Sequence, residues 1–130
     1  MATEFQAGVD WGRWFVDPSS DVRSSGALEI AASEFKCQGL ELDFVGLCWG
    51  DDFLWDGFAW ERRKLSGSKW QRDRDISRAA NSYRVLLTRA RYGMAIWVPD
   101  VRGRNLLLTN PDSLDATAEA LVRSGLTLLD

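Results

Sequence analysis

Two short runs, Asp43–Trp49 (DFVGLCW) and Met94–Val98 (MAIWV), are apolar at nearly every position. A strand with one face in water alternates polar and apolar residues. A strand that is apolar throughout belongs in a sheet covered on both faces, as parallel sheets are. Between these runs, Ile76, Ala79 or Ala80, Tyr83, Leu86 or Leu87 and Ala90 recur at helical spacing. That spacing predicts a helix over Asp75–Arg91, stopped by Gly93. Leu28–Ala32 reads as a further short buried strand, and Glu34–Glu41 as a turn-rich connector hinged on Gly39. Beyond Pro99, Leu106–Thr109 reads as a short strand. Asn110-Pro111-Asp112 signals a helix start with Asp112 or Ser113 as N-cap. Leu114, Ala118, Leu121 and Val122 supply that helix's apolar face, Gly125 closes it, and Leu126–Leu129 reads as an edge strand. Strands alternating with helices predict an α/β fold with a mostly parallel sheet.

The chain has 130 residues, a length that favours one domain over residues 1–130. Within it, residues 1–26 form an irregular lead-in. Residues 50–70 form an aromatic and charged insertion at the sheet edge, carrying Phe53, Trp55, Phe58 and Trp60 and ending in the loop Ser66-Gly67-Ser68. Those aromatics are read mainly as core or interface and secondarily as platforms for bases.

Charge and composition exclude several classes. A formal net charge of −3 argues against a generic polyanion-binding surface. It leaves room for a local basic cluster, formed here by Arg62, Arg63, Lys64, Lys69, Arg72, Arg74 and Arg78 and diluted by Asp73 and Asp75. The chain has no His, which removes the commonest general base and metal ligand and excludes a Ser-His-Asp or Cys-His mechanism within it. Two cysteines, Cys37 and Cys48, are too few for a zinc site and read as reduced, buried thiols. No metal ligand set is expected. No apolar run reaches the ~18 residues of a membrane span, and Met1–Asp10 lacks the pattern of a signal peptide. The expected compartment is the cytoplasm.

Two segments narrow the reading. Ser33-Glu34-Phe35-Lys36-Cys37-Gln38-Gly39-Leu40-Glu41-Leu42-Asp43 resembles motif V of superfamily-one helicases, in which a Gln-Gly or Lys-Gly pair precedes Leu-Glu and an apolar-Asp step into a strand. Tyr83-Arg84-Val85-Leu86-Leu87-Thr88-Arg89-Ala90-Arg91 resembles motif VI, an apolar residue, Thr or Ser, Arg and Ala on a helix. Together, EFKCQGLELDFVGLCW and NSYRVLLTRARYGMAIWVP are similar to the C-terminal part of the Schlafen group-3-like DNA/RNA helicase family, from about Trp14 to the C-terminal helix. The resemblance implies a partial RecA-like, three-layer fold, the second domain of a P-loop NTPase. It implies Arg89 as arginine finger, with Arg91 as a second cation. It also implies Gly39 and Glu41 as nucleotide-binding residues, Glu41 accepting a ribose hydroxyl. Ser33 and Gln38 would contact nucleic-acid backbone, whereas Phe35 stands where related helicases carry His. A developing charge on a γ-phosphate is stabilised by a guanidinium fixed beforehand, which is the chemistry Arg89 would supply. In the competing reading Arg89 pairs with Asp43 or Glu41, Glu41 is a solvated carboxylate and Gly39 marks a turn.

No GxxxxGK[ST] loop occurs in these residues, and Asp51-Asp52 is only a superficial match to the paired acids that hold magnesium. ATP and Mg are therefore expected only in a completed site, and the isolated chain is not expected to hydrolyse ATP. The expected partners are a missing N-terminal P-loop domain or partner subunit, DNA or RNA, and a second copy of the chain. Three histories fit: a truncated piece of a larger ATPase, a split subunit, or a remnant serving as an interaction module. A small hydrolase built on Asp51, Asp52 and Asp56 lacks a His, a metal set and a nucleophile elbow.

Overall fold

A computed structural model describes residues 8–102 and 111–129. The predicted strand at Leu106–Thr109 lies outside the described residues. The chain divides into two compact units, Met1–Gly39 and Leu40–Asp130.

In the first unit the lead-in contains a six-residue helix, α1 (Trp11–Val16), started by the Asp10 carboxylate accepting from the Arg13 amide. Trp14 is buried, and its indole N–H donates to the Ile30 carbonyl at 2.9 Å. The predicted strand at Leu28–Ala32 is absent. Ser25–Ala27 forms a 3-10 turn, and Leu28 follows with φ 59° and 86% exposure. A left-handed residue in water cannot extend a buried strand. The unit ends in a one-turn helix, α2 (Glu34–Cys37), and Gly39 at φ +79°.

The second unit is mixed α/β. Strand β1 (Leu42–Cys48) pairs in parallel with β5 (Ala90–Trp97), in the register Val45↔Met94 and Leu47↔Ile96. Between them, β2 (Phe53–Trp55), β3 (Trp60–Ser66) and β4 (Lys69–Asp73) form an antiparallel sheet. The expected mostly parallel sheet is therefore confined to one strand pair. The insertion makes two hairpins instead, for local reasons. Asp56 accepts amides from Phe58 (2.7 Å) and Ala59 (2.6 Å) and so closes the first turn. Gly67, at φ +61° in the two-residue loop Gly67-Ser68, closes the second.

Helix α3 (Ile76–Leu87) returns the chain to β5. Its buried face carries Ala79 and Tyr83, which join Leu47, Trp49, Phe53 and Leu54 in the core. The Tyr83 ring lies 4.3 Å from that of Trp49 and 5.2 Å from that of Phe53. Its hydroxyl donates to Asp52 Oδ1 (2.8 Å) and accepts the Gly50 amide (3.1 Å). The predicted helix ran to Arg91, but the observed one stops four residues earlier. The Thr88 hydroxyl binds the carbonyls of Arg84 and Val85, and Ala90 onward gains cross-strand partners on β1. Gly93 is therefore a strand residue rather than a helix stop. A Cβ there would sit 3.1 Å from the Phe44 ring, so glycine admits the cross-strand aromatic.

Helix α4 (Pro111–Arg123) packs on β2 through Leu114, Thr117 and Leu121. It starts at Pro111, which places Asp112 and Ser113 inside its first turn rather than at the cap. Thr117 Oγ1 accepts the Trp55 amide (2.9 Å) and donates to the Ser113 carbonyl (2.6 Å). Gly125, at φ +106°, ends the helix with bonds from Gly125 N to Val122 O and from Leu126 N to Leu121 O, the Schellman arrangement. The following leucines form no strand among the described residues.

Core and surface divide the predicted aromatics unevenly. Phe53 is buried and Trp60 packs against the core, whereas Phe58 is fully on the surface. Cys37 is buried as expected, but Cys48 is exposed on the outer side of β1, and neither is in a disulfide. Among the described residues, no helix is long and apolar enough to cross a membrane.

Candidate functional site

Strands β1 and β5 begin side by side. The Leu42 amide donates to the Arg89 carbonyl at 2.9 Å, and Leu42 pairs with Ala90. This pairing brings Glu41, Arg89 and Arg91 to one end of the parallel pair, although they lie about 50 positions apart in sequence.

Arg89 is not on the helix, where motif spacing had placed it. It follows the C-terminal residue of α3 and the turn at Thr88. Its Nε donates to the Val85 carbonyl (2.9 Å) and its Nη1 to the Leu40 carbonyl (3.0 Å). The guanidinium thus caps a helix C-terminus, whose partial negative charge favours a cation. It is part-buried and held from two sides. Among the described residues it makes no ion pair, so its charge rests on neutral oxygens, the two carbonyls and, at 3.5 Å, the Thr88 hydroxyl.

The nearby carboxylates have another partner. Arg91 Nε lies 3.4 Å from Glu41 Oε2, and Arg91 Nη1 lies 3.9 Å from Asp43 Oδ1. The acids considered as partners of Arg89 are therefore taken by Arg91. All three side chains are more than half exposed, so this network is worth at most about 1 kcal/mol per pair. It holds Glu41 loosely, with its carboxylate open to solvent.

The remaining predicted residues belong to the first unit. Ser33 occupies the N-cap position of α2 without a side-chain cap bond. Gln38 follows the helix, exposed, and Gly39 adopts its positive φ with nothing within 4 Å of an added Cβ. Backbone conformation, not crowding, is what requires glycine at position 39.

Sequence reasoning missed what fixes Arg89. Its anchors are the backbone carbonyls of Leu40 and Val85, which leave no side-chain signature. A cavity of about 580 Å³ elsewhere in this unit is walled by Trp49, Tyr83, Met94 and Leu121, and Glu41, Arg89 and Arg91 lie outside its lining. Among the described residues, no group of three or more Cys, Asp or Glu side chains is placed to hold a metal ion.

The family model of the Schlafen group 3 DNA/RNA helicase domain matches residues 2–100. The chain belongs to this family. No curated protein and no solved structure matches it. Both motif segments of the Schlafen group 3 helicase region fall inside the match, which ends before α4. The resemblance read from sequence had extended through that helix. The matched part is a helicase-like region, and Arg89, Glu41 and Arg91 are all within it.

Proposed function

We propose that this chain is the C-terminal RecA-like portion of a helicase-type, nucleic-acid-dependent NTPase, which supplies half of a nucleotide site and is inactive by itself. The observation that carries the reading is Arg89: a guanidinium fixed by two carbonyls beside Glu41, with no carboxylate paired to it among the described residues. A preorganised cation of this kind stabilises charge developing on a transferred phosphoryl group. The half-site lies at the amino ends of β1 and β5. Open α/β sheets bind their own ligands beyond the carboxyl ends of the strands. An edge at the opposite end suits a site completed by another domain.

In this reading the β1–β5 pair with α3 is the part of a RecA-like sheet that carries motifs V and VI. Glu41 accepts a sugar hydroxyl, Arg91 positions Glu41, and Gly39 lets backbone approach the nucleotide. Ser33 and Gln38 face nucleic-acid backbone. ATP and Mg enter only when a P-loop domain or subunit supplies the phosphate cradle and the metal-holding acids, since no GxxxxGK[ST] loop occurs in these residues. The bound nucleotide supplies the reacting phosphoryl group, and this chain's contribution is to present a cation to it and to orient its sugar.

A second reading, a non-catalytic interaction module, is favoured by one observation. Among the described residues, the outer face of β1–β5 is exposed, Phe44 at 74% and Trp97 at 59%. Parallel sheets normally bury both faces. Mixing the purified chain with a P-loop-bearing domain of the same family and measuring ATP hydrolysis separates the two. Hydrolysis by the mixture, absent from either component and lost in Arg89→Ala, supports the half-site. Tight ATP binding by this chain alone counts against both.

A further inference from the structure

The β3–β4 hairpin has a different charge from the rest of the chain. Residues 60–74 carry six basic side chains (Arg62, Arg63, Lys64, Lys69, Arg72, Arg74) and two acidic ones (Glu61, Asp73), a net +4 on a chain of formal charge −3. The remainder is therefore acidic, and these cations are gathered on one hairpin.

Only part of this charge is used internally. Arg62 pairs with Asp73 at 3.4 Å, and Arg72 with Glu61 at 2.7 Å. Arg63, Lys64, Lys69 and Arg74 make no ion pair among the described residues. Arg63 stands directly across from Arg72 in the ladder, although like charges in that position are destabilising. The same face of the hairpin carries Trp70 and Leu65. The guanidinium carbon of Arg63 lies 5.8 Å from the Trp70 ring centroid. Arg63 and Arg72 flank the indole on this face, and the register puts the unpaired Lys64 and Lys69 on the opposite face toward the tip. Together they fit a flexible polyanion that rounds the tip and whose units have flat π faces. An acidic peptide would use the cations but not the indole. A lipid surface would want apolar residues at the tip, where Ser66-Gly67-Ser68 stands. A duplex keeps its bases stacked and out of reach of Trp70.

We propose that the β3–β4 hairpin is a binding surface for single-stranded nucleic acid. Arg63 and Arg74 contact phosphates of a strand whose base stacks on Trp70, and Lys64 and Lys69, on the opposite face, contact phosphates where that strand rounds the tip. The surface extends the function proposed above to a second set of residues and does not depend on Arg89.

The test is fluorescence anisotropy with labelled oligo-dT and oligo-rU of about 20 nucleotides, longer than the ~4–16 nucleotides one small fold covers. The whole chain is used, without ATP. Four phosphate contacts give a slope of log K against log salt of about −3, at ~0.7 per contact on single strands. Trp70→Ala weakens binding roughly tenfold with the slope unchanged. The double variant Lys64→Gln/Lys69→Gln, both exposed and outside the core, lowers the slope by about 1.4. That variant decides the matter if Trp70→Ala fails to fold. The stronger of the two oligonucleotides identifies the sugar recognised. No binding of either by the folded chain at low salt overturns the proposal, as does binding indifferent to the double Lys variant. Equal binding of a duplex, unaffected by Trp70→Ala, also overturns it. Oligonucleotide affinity is read without ATP and the nucleotide half-site by ATP hydrolysis in the reconstituted pair, so a failed half-site and a failed hairpin surface give different results.

Discussion

Replacing Arg89 with Ala removes two short hydrogen bonds from a charged donor, to Val85 O at 2.9 Å and Leu40 O at 3.0 Å, and a long one of 3.5 Å to the Thr88 hydroxyl. Bonds from charged groups are worth about 1.5–3 kcal/mol each. The part-buried setting and the freed carbonyls' access to water put the pair at the low end, about 2–3 kcal/mol in total. A domain of this size has about 5–15 kcal/mol of stability, so even a marginal one stays more than ~95% folded. The structural loss should therefore appear as a melting point lower by roughly 6–12 °C, with little loss of folded protein at 25 °C. An arginine finger contributes about 10³–10⁵ in kcat, equivalent to ~4–7 kcal/mol, far more than unfolding can remove. Arg89→Lys keeps the charge but lacks the planar fork that spans two carbonyls. It should recover part of the melting point and little of the activity. The assays are thermal melting of the chain and ATP hydrolysis by the reconstituted pair. If Arg89→Ala melts lower yet hydrolyses ATP within about tenfold of the unaltered chain, Arg89 is a helix cap and the finger assignment is wrong.

Other expectations follow from single contacts. Tyr83→Phe keeps the ring packing but strips partners from Asp52 and Gly50, and should lower unfolding free energy by about 1–2 kcal/mol in urea with an unchanged m-value. Thr117 is fully buried, and Thr117→Val leaves the Trp55 amide without its acceptor, so a loss of about 1–3 kcal/mol is expected. Gly93→Val drives a side chain into Phe44 and should cost about 1–3 kcal/mol, part of which Phe44→Ala restores in a double-mutant cycle. Asp56 is held below its usual carboxylate range by the amides of Ala59 and Phe58, and Asp75 by the Ser77 hydroxyl. A depressed folded pKa means stability that is complete above the unfolded value of about 4 and is lost as pH falls through the folded one. Denaturant melts below pH 4 should show this loss, and it should be smaller in Asp56→Asn.

How much of the molecule could be read beforehand depended on whether the relevant physics was local. Asp43–Trp49 and Met94–Val98 were legible as strands because each is a short, nearly unbroken apolar run, but the burial on both faces that such a run implies was not found, since Phe44 and Trp97 are exposed. The helical stripe of Ala79 and Tyr83 was legible for the corresponding reason. The end of α3 was not, since Ala90 continues the helical spacing and only pairing with distant Leu42 recruits it to a strand. Leu28–Ala32 misled because its composition suits a strand, whereas Leu28 sits exposed in a left-handed turn. The hairpins of residues 50–70 were missed because their turns rest on Asp56 and Gly67, while the mixed aromatic and charged pattern announces no single face.

The candidate site divides along the same line. The sequence by itself determined the ingredients: Arg89, Glu41, Arg91 and the motif order, the lack of a phosphate loop in these residues, and a basic cluster on an acidic chain. Those are properties of side-chain type and spacing, which chain order preserves. Tertiary structure decided the assignments. It gave the acids to Arg91, left Arg89 on carbonyls with no ion pair among the described residues, and set Arg63 over Trp70 on one face of a hairpin. These depend on strand register and on backbone carbonyls, which no residue type encodes. Register is settled by the sum of many distant contacts, so it exists only once the chain is folded.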